Sequence, residues 1–419
     1  MILLICDHKK RELESLKRLK FQLKIKNINS EIVNKHCVIK AFNYYKPKII
    51  TFPHSNGYLA KLIKTLGNKV VKILIPTEHC AFVDKFLEVQ YFGKIKSHKI
   101  PNEINKIDYI FSQSNFIKNF LIKKTKLNKK KVISTGHLFY DQWEPYKIKK
   151  EKIKNIGIAL TNEYILRRAK DKNYLKNLYK VNEAVDFNKN YWRLLQMNYD
   201  HFYFCLLFNL IEKLKKNYKV SVRTHIVDVE SNFDFLKSDN VEISKNISSQ
   251  NWIKKQDLII STTSFINVDS YIYGKPHITL KNMIPKDFFF QAYDSFNYKE
   301  FPEINSYNPK NFSDLINGLK KIKFKKNKKL DLLLNKFFSY PYLKRPSVIM
   351  AEQISSILNN IKDSNFEYIL NKKEKNISRF LTTRLVVNAS YLFSQIKNYL
   401  NPGAKNSYFD FFFIFKKTS

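Results

Sequence analysis

The sequence predicts an α/β protein of two domains, each built on a doubly wound parallel sheet, that face each other across a cleft. Short apolar runs alternate with helical stretches to about residue 360, which is the pattern of parallel strands joined by helices. The charged segment Lys147–Lys154 interrupts the pattern, and a new series of apolar runs follows it. The length of 419 residues also suits two or three domains of about 150 residues each.

The elements can be placed along the chain in order. Strands are predicted at Ile2–Cys6, Lys48–Phe52, Val70–Ile75, Tyr109–Ser112 and Lys131–Ser134, with helices such as Leu13–Lys26 and Gly57–Leu66 between them. The second series is Asn155–Leu160, Lys219–Arg223, Val241–Ser244, Leu258–Ser261 and Ile278–Leu280, with helices at His201–Lys216 and Ser347–Ile361. We therefore expect a Rossmann-like domain over residues 1–150, a second one over residues 151–361, and a basic, aromatic tail over residues 362–419.

Composition narrows the class of partner. The net charge of +39 is compatible with nucleic acid, an anionic membrane or phosphorylated ligands, and equally with a compositional bias toward lysine. Arginine, which reads bases through paired hydrogen bonds, is scarce, and this counts against sequence-specific DNA recognition. The four cysteines form no CxxC pair, so neither a disulfide framework nor a zinc site is expected. With no apolar run of about 18–20 residues, the sequence predicts a cytoplasmic protein.

Polar side chains follow two strands of the second half, where doubly wound sheets bind their ligands. They are Arg223 and His225 after one strand, Ser261, Thr262 and Thr263 after the other, and Asp269 on the following helix. Basic and hydroxyl groups beside a helix N-terminus suit a diphosphate, and a carboxylate on that helix can accept hydrogen bonds from a ribose. Serine and threonine are also common helix N-caps, so a structural role stays open.

Polar side chains follow the strands of the first half as well. Glu78 and His79 come after a strong strand, and we predict Glu78 as a general base toward a sugar hydroxyl, with capping of a helix by Thr77 or Glu78 as the alternative. Asp7, His54, Gly136 and His137 follow other strands and are predicted to line the same cleft. The chain has no P-loop, GxGxxG, HExxH or GxSxG motif, so kinase, dehydrogenase, zincin and common hydrolase functions lose their main support.

The order of these segments resembles the surface carbohydrate biosynthesis proteins, which are related to the GT-B glycosyltransferases of capsule and lipopolysaccharide synthesis. The matching segments are Arg223-Thr224-His225, Asn251-Trp252-Ile253, Ser261-Thr262-Thr263 with Asp269, Gly274-Lys275-Pro276, Thr135-Gly136-His137 with Asp141, and Arg345–Ile361. Thr224 and Ile226 stand where the family has proline, and Asp269 where it has glutamate.

The resemblance implies transfer of a sugar from a nucleotide-activated donor to a glycan or lipid-linked acceptor. It implies that His225 and the Ser/Thr cluster contact the donor phosphates, that Asp269 contacts the nucleoside, and that the acceptor enters near Glu78. No metal or other cofactor is expected, because helix N-termini and basic side chains can stabilise the leaving nucleotide.

Two other functions stay open. One is a glycerol- or ribitol-phosphate transferase of the teichoic-acid type, which has the same fold and uses a CDP-linked donor. The other is a basic nucleic-acid-binding protein without enzyme activity. We also expect reversible contact with the inner face of the cytoplasmic membrane through the basic run Lys320–Lys329 and the aromatic-basic tail Tyr408–Lys417.

Overall fold

A computed structural model describes residues 1–77, 84–92, 102–124, 128–141, 152–160, 202–225, 230–244, 248–262, 264–284 and 306–361. Residues 163–198, which have few helix-breaking residues and are predicted to form a helical insertion, lie outside these residues, as does the tail from residue 362. Within the described residues, no helix is both long and apolar enough to cross a membrane.

The first domain is a six-stranded parallel sheet in the order β2-β1-β3-β4-β5-β6. Its strands are β1 (Ile2–Cys6), β2 (Ser30–Asn34), β3 (Ile49–Phe52), β4 (Val71–Leu74), β5 (Tyr109–Ser112) and β6 (Val132–Ser134). Its helices are α1 (Lys9–Ile25), α2 (Val38–Tyr45), α3 (Gly57–Leu66), α4 (Asp84–Phe92) and α5 (Asn115–Lys124). Strand β2 was missed in the sequence because its SEIVN segment is only partly buried and lacks the continuous apolar run of a central strand.

Strand β1 shows why this sheet is covered on both faces. All five of its residues are buried. Leu3 and Ile5 belong to a core formed with α2, α3 and α5, whereas Ile2, Leu4 and Cys6 belong to a second core that includes α1. Apolar residues at every position, rather than at alternate ones, are what a strand buried on both faces requires.

The second domain is a five-stranded parallel sheet in the order β11-β10-β7-β8-β9. Its strands are β7 (Asn155–Ala159), β8 (Lys219–Arg223), β9 (Val241–Ser244), β10 (Leu258–Ser261) and β11 (His277–Thr279). Its helices are α6 at 202–214, α7 (Ser249–Lys254), α8 (Ile266–Ile272) and α9 (Phe312–Lys321). Read outward from β7, this is the strand order of a dinucleotide-binding half, and the Rossmann-like prediction for both domains is confirmed.

The last helices return to the first domain. Helix α10 (Lys328–Phe338) packs on α5, where the Phe116 and Phe337 rings lie 5.0 Å apart. Helix α11 (Pro346–Asn360) packs on α1, with Ala351 and Ile354 in the same core as Leu19. The sequence placed this segment in the second domain because it follows that domain along the chain. Its apolar face is instead buried on α1, and the chain therefore crosses between the domains twice.

Candidate functional site

The candidate site lies at the switch point of the first sheet, where β1 is flanked by β2 on one side and β3 on the other. Chain connections leave this point in opposite directions, which opens a crevice at the carboxyl ends of the strands. Asp7 follows β1, Lys35 follows β2 and His54 follows β3. The sequence predicted Asp7 and His54 for the cleft, and the fold brings both together with Lys35.

Asp7 is the centre of this cluster. His54 Nε2 donates to its Oδ2 at 2.9 Å, and Lys35 Nζ lies 2.5 Å from its Oδ1. Burial by itself would raise the pKa of Asp7, but the hydrogen bonds from His54 and Lys35 outweigh it and hold that pKa well below its usual range. Asp7 is therefore a carboxylate at neutral pH, with a buried negative charge that orders the surrounding cations.

His8 is the basic group beside that carboxylate. Its Nε2 lies 3.6 Å from Asp7 Oδ2, and its side chain is about one-third exposed (32%). Burial lowers the pKa of His8 below 6.5, and the nearby charge of Arg11 lowers it further. The imidazole is therefore neutral at pH 7. A neutral histidine beside a carboxylate can take a proton from a hydroxyl group.

Glu12 holds the loop between β1 and α1 in place. Its fully buried carboxylate accepts hydrogen bonds from the backbone N–H groups of Asp7 and His8, at 2.6 and 3.2 Å. It also accepts from Arg11 at 2.8 Å and from the hydroxyl of Thr77 at 2.9 Å. Glu12 lies in the first turn of α1 and bonds the backbone N–H groups of the two residues before the helix, as the glutamate of a capping box bonds the N-cap residue.

Four members of this site were not predicted from the sequence: His8, Glu12, Lys35 and Thr77. His8 carried a signal, since it follows Asp7 directly at the end of the first strand. Glu12 carried no signal in the predicted helix Leu13–Lys26, because the helix begins four residues earlier, at Lys9, and only this start places Glu12 in the first turn. Lys35 carried none, because the strand that delivers it was not predicted. Thr77 was considered only as a helix cap. Glu78, His79 and Thr263 lie outside the described residues, and their roles stay predictions.

The Ser/Thr cluster of the second domain is buried. Ser261 and Thr262 have no exposed surface, and Ser261 Oγ lies 2.9 Å from His277 Nε2. His277 Nδ1 in turn lies 2.6 Å from Ser306 Oγ. Burial lowers the pKa of His277 to about 3, so this histidine is neutral and ties β10, β11 and the 306 segment together. In this arrangement the Ser261 hydroxyl bonds His277 and so joins two neighbouring strands of the second sheet.

Asp269 lies where the two domains meet. It is 4% exposed, and its Oδ1 accepts a hydrogen bond from Tyr140 of the first domain at 3.1 Å. Burial raises the pKa of Asp269 to about 7, against the opposing effects of the Tyr140 bond and the charge of Arg223. Tyr140 comes after β6 and Asp269 after β10, so their contact joins the carboxyl edges of the two sheets. A ribose can reach this carboxylate only if Tyr140 moves away.

Gly136 and His137 contact the start of the last helix, α11, and the segment just before it. The Gly136 backbone has φ of +85°, and a Cβ there would lie 2.8 Å from the Tyr342 ring and 2.9 Å from Pro346. His137 is fully buried, and its backbone N–H donates to the Tyr342 hydroxyl at 3.0 Å. The sequence predicted both for the cleft, and the structure places them in the packed junction. Asp141 continues the attachment by accepting from Ser347 N and Oγ at 2.6 and 2.9 Å.

Trp252 has a structural role. Its indole packs on β7, where a Cβ added to Gly157 would lie 2.8 Å from the ring. The indole N–H donates to Ser221 Oγ at 2.9 Å, and this hydroxyl bonds Glu242 at 2.7 Å. The Trp-Ile segment that supported the resemblance therefore fixes the helix α7 against the second sheet.

Two further observations concern metal ligands and a depression in the surface. Within the described residues, no three His, Cys, Asp or Glu side chains are grouped to hold a metal ion. A depression of about 320 Å³ opens beside the start of β5, at the amino edge of the first sheet, and Lys64, Lys106 and Lys131 line it. None of the predicted site residues borders it, because they follow the opposite ends of the strands.

No protein-family model matches the chain, and no curated protein matches it in sequence. Among solved structures it is similar to a histidine-to-alanine variant of the wall teichoic acid polymerase TagF, at 13% identity with a TM-score of 0.53, over 87% of this chain and 90% of that one. A structure of a TagF variant with CDPG gives 13% identity and a TM-score of 0.52, over 85% and 88% of the two chains. At this identity the likeness concerns the fold alone. Two parallel-sheet domains joined at their carboxyl edges, with a last helix that returns to the first domain, give this chain the GT-B fold.

Proposed function

We propose that this protein is a glycosyltransferase of surface carbohydrate synthesis, which transfers a sugar from a nucleotide-activated donor to a glycan or lipid-linked acceptor. The observation that carries the proposal is the cluster at the switch point of the first sheet. There a neutral His8 lies beside the Asp7 carboxylate, and His54 and Lys35 hold that carboxylate in place. Such a cluster suits activation of an acceptor hydroxyl rather than binding of a nucleotide.

The chemistry can be assigned to the two domains. The acceptor oxygen forms the new bond to the anomeric carbon of the sugar, its proton passes to His8, and the bond from that carbon to the nucleotide phosphate breaks. Asp7 favours the imidazolium that results, because an opposite charge nearby stabilises the cation. Glu78 was favoured for this role in the sequence. We now favour His8, because its geometry and its pKa both suit a base.

The donor is assigned to the second domain. Arg223 ends β8, and His225 follows two residues later, at the carboxyl edge of that sheet. Positive charge there suits the departing phosphates, which need electrostatic stabilisation as they leave. We therefore expect transfer without a metal ion, so that a chelator leaves turnover unchanged.

Calorimetry with UDP, CMP, CDP and GDP tests the proposal. We expect one of these nucleotides to bind, and His225→Ala to weaken that binding several-fold while the chain stays folded. The matched control is His36→Ala in the first domain, which should bind as the unchanged protein does. Absence of binding by all four nucleotides in the folded protein would contradict the proposal.

Polyol-phosphate transfer is the second candidate, because structures of TagF, one of them with CDPG, are similar to this chain with TM-scores above 0.5. The products distinguish the two functions. A glycosyltransferase leaves the phosphorus with the nucleotide, whereas a polyol-phosphate transferase carries one phosphate of the donor into the product. Mass spectrometry of products formed with CDP-glycerol and with nucleotide sugars therefore decides between them.

A further inference from the structure

A lysine-rich segment connects helices α9 and α10. We call residues 320–329, with the sequence KKIKFKKNKK, the lysine strap. It contains seven lysines and no carboxylate, and all seven side chains are exposed. Helix α9 packs in the core of the second domain through Leu315 and Leu319, whereas α10 packs on the first domain. The strap therefore runs from one domain to the other.

Apolar contacts and hydrogen bonds with Tyr271 fix the backbone of the strap. The Phe324 ring turns inward and lies 5.4 Å from the Tyr271 ring. The backbone N–H of Asn327 donates to the Tyr271 hydroxyl at 3.0 Å, and that hydroxyl donates to Asp331 at 2.7 Å. Asp331 is exposed and accepts this hydrogen bond, and the exposed lysine side chains project from a backbone that these contacts hold.

Six of the seven lysines of the strap have no counter-charge among the residues that the structure describes. Lys320, Lys321, Lys323, Lys325, Lys326 and Lys328 form no ion pair with any residue that the structure describes. Elsewhere on the surface lysines do pair with carboxylates, as Lys124 does with Glu88 at 3.0 Å. Like charges so close together repel each other, and an external anionic surface relieves that repulsion.

The chemistry of the strap favours a lipid bilayer over nucleic acid. It has no arginine to form paired hydrogen bonds with bases, and its aromatic ring, Phe324, packs on the Tyr271 ring and is not presented for stacking on a base. Leu332 lies one turn beyond Lys328 and Lys329 on α10 and is 72% exposed. A row of lysines beside an exposed leucine suits the interface of an anionic membrane.

We propose that the lysine strap and Leu332 dock this protein on an anionic lipid surface. Each lysine near such a surface contributes about 1 kcal/mol, which corresponds to about a fivefold change in the partition coefficient. The contact does not depend on which group the enzyme transfers. It would hold both domains at the membrane surface, since the strap spans them.

Co-sedimentation of the full chain with vesicles tests the proposal. Mixed phosphatidylglycerol–phosphatidylcholine vesicles should bind the protein, binding should fall as salt rises, and pure phosphatidylcholine vesicles should bind little. The triple variant Lys323→Gln, Lys325→Gln, Lys326→Gln should lower the partition coefficient about 100-fold. Leu332→Ser should lower it a further several-fold, because its apolar side chain no longer enters the interface.

The matched control is the triple variant Lys129→Gln, Lys130→Gln, Lys131→Gln, which removes the same charge from another exposed triplet. It should bind within a few-fold of the unchanged protein. Equal losses in both triple variants would overturn the proposal, since net charge alone would then explain binding. Strap-dependent binding of duplex DNA without vesicle binding would overturn it too. Circular dichroism spectra of all variants should match, because every substituted side chain is exposed.

Discussion

The bond between Tyr140 and Asp269 offers a sharp test of how the two domains are joined. Tyr140→Phe removes one hydroxyl and leaves the ring, so the packing against Phe338 at 5.2 Å is preserved. What is lost is the 3.1 Å hydrogen bond to a carboxyl group that is almost wholly buried. The cost should therefore depend on whether Asp269 carries a charge.

The magnitude follows from the protonation state. The pKa of Asp269 is about 7 in the folded chain, against 3.8 for an ordinary aspartate, so at pH 5 the group is protonated and at pH 8 it is mostly ionised. A hydrogen bond between neutral groups contributes about 1 kcal/mol, and one to a charged group about 1.5–3 kcal/mol. We expect Tyr140→Phe to lower the free energy of unfolding by about 1 kcal/mol at pH 5 and by about 2–3 kcal/mol at pH 8.

The sign of the pH dependence follows from linkage. Since the folded-state pKa lies above the unfolded-state value, Asp269 stabilises the fold most at low pH, and this stabilisation is lost as pH rises from about 4 to about 7. Without the Tyr140 hydroxyl the folded-state pKa rises further, and the loss continues above pH 7. Asp269→Asn removes the titration altogether, so in that background the cost of Tyr140→Phe should be the same at both pH values.

Urea denaturation at pH 5 and pH 8, followed by circular dichroism, measures these differences for the two single variants and the double variant. A Tyr140→Phe cost that is equal at both pH values in the otherwise unchanged chain would refute the reasoning. So would a cost that is larger at pH 5.

Two further predictions concern the site and the second sheet. His8→Asn should lower turnover by about 100-fold or more, because it removes the base beside Asp7, and should change nucleotide affinity little. The control is His36→Asn, which removes a histidine that does not contact Asp7. Its turnover should stay near normal. Near-normal turnover in His8→Asn would place the base elsewhere. Gly157→Ala should lower the free energy of unfolding by about 1–3 kcal/mol, since its Cβ would press on the Trp252 ring. A Gly157→Ala, Trp252→Phe double variant should regain part of that stability. Thermal denaturation of both variants measures the difference.

Much of the fold was predictable from local sequence. Tyr109–Ser112, Lys219–Arg223 and Leu258–Ser261 begin and end where the apolar runs do, because a central parallel strand must be apolar on both faces. Val241–Ser244 was also predicted although it is an edge strand, because its two apolar residues are buried. Ser30–Asn34 escaped prediction because an edge strand needs only partial burial. Because this strand was not predicted, Lys35, which follows it and lies in the site, was not predicted either.

The candidate site was predictable in part. Each polar residue after a strand was a reasonable candidate, since the carboxyl ends of parallel strands meet at one edge. The pattern identified Asp7 and His54 without showing that they bond each other. It identified Asp269 and His137 equally well, although both are buried in the domain junction.

The sequence by itself therefore determined two parallel sheets and the edge at which polar residues gather, because alternating strands and helices are local properties of the chain. The tertiary structure decided which of those polar residues remain available to a ligand. That choice depends on packing between segments far apart in the chain, such as Tyr140 on Asp269 and Tyr342 on Gly136. Burial is the sum of such long-range contacts, and no local pattern contains them.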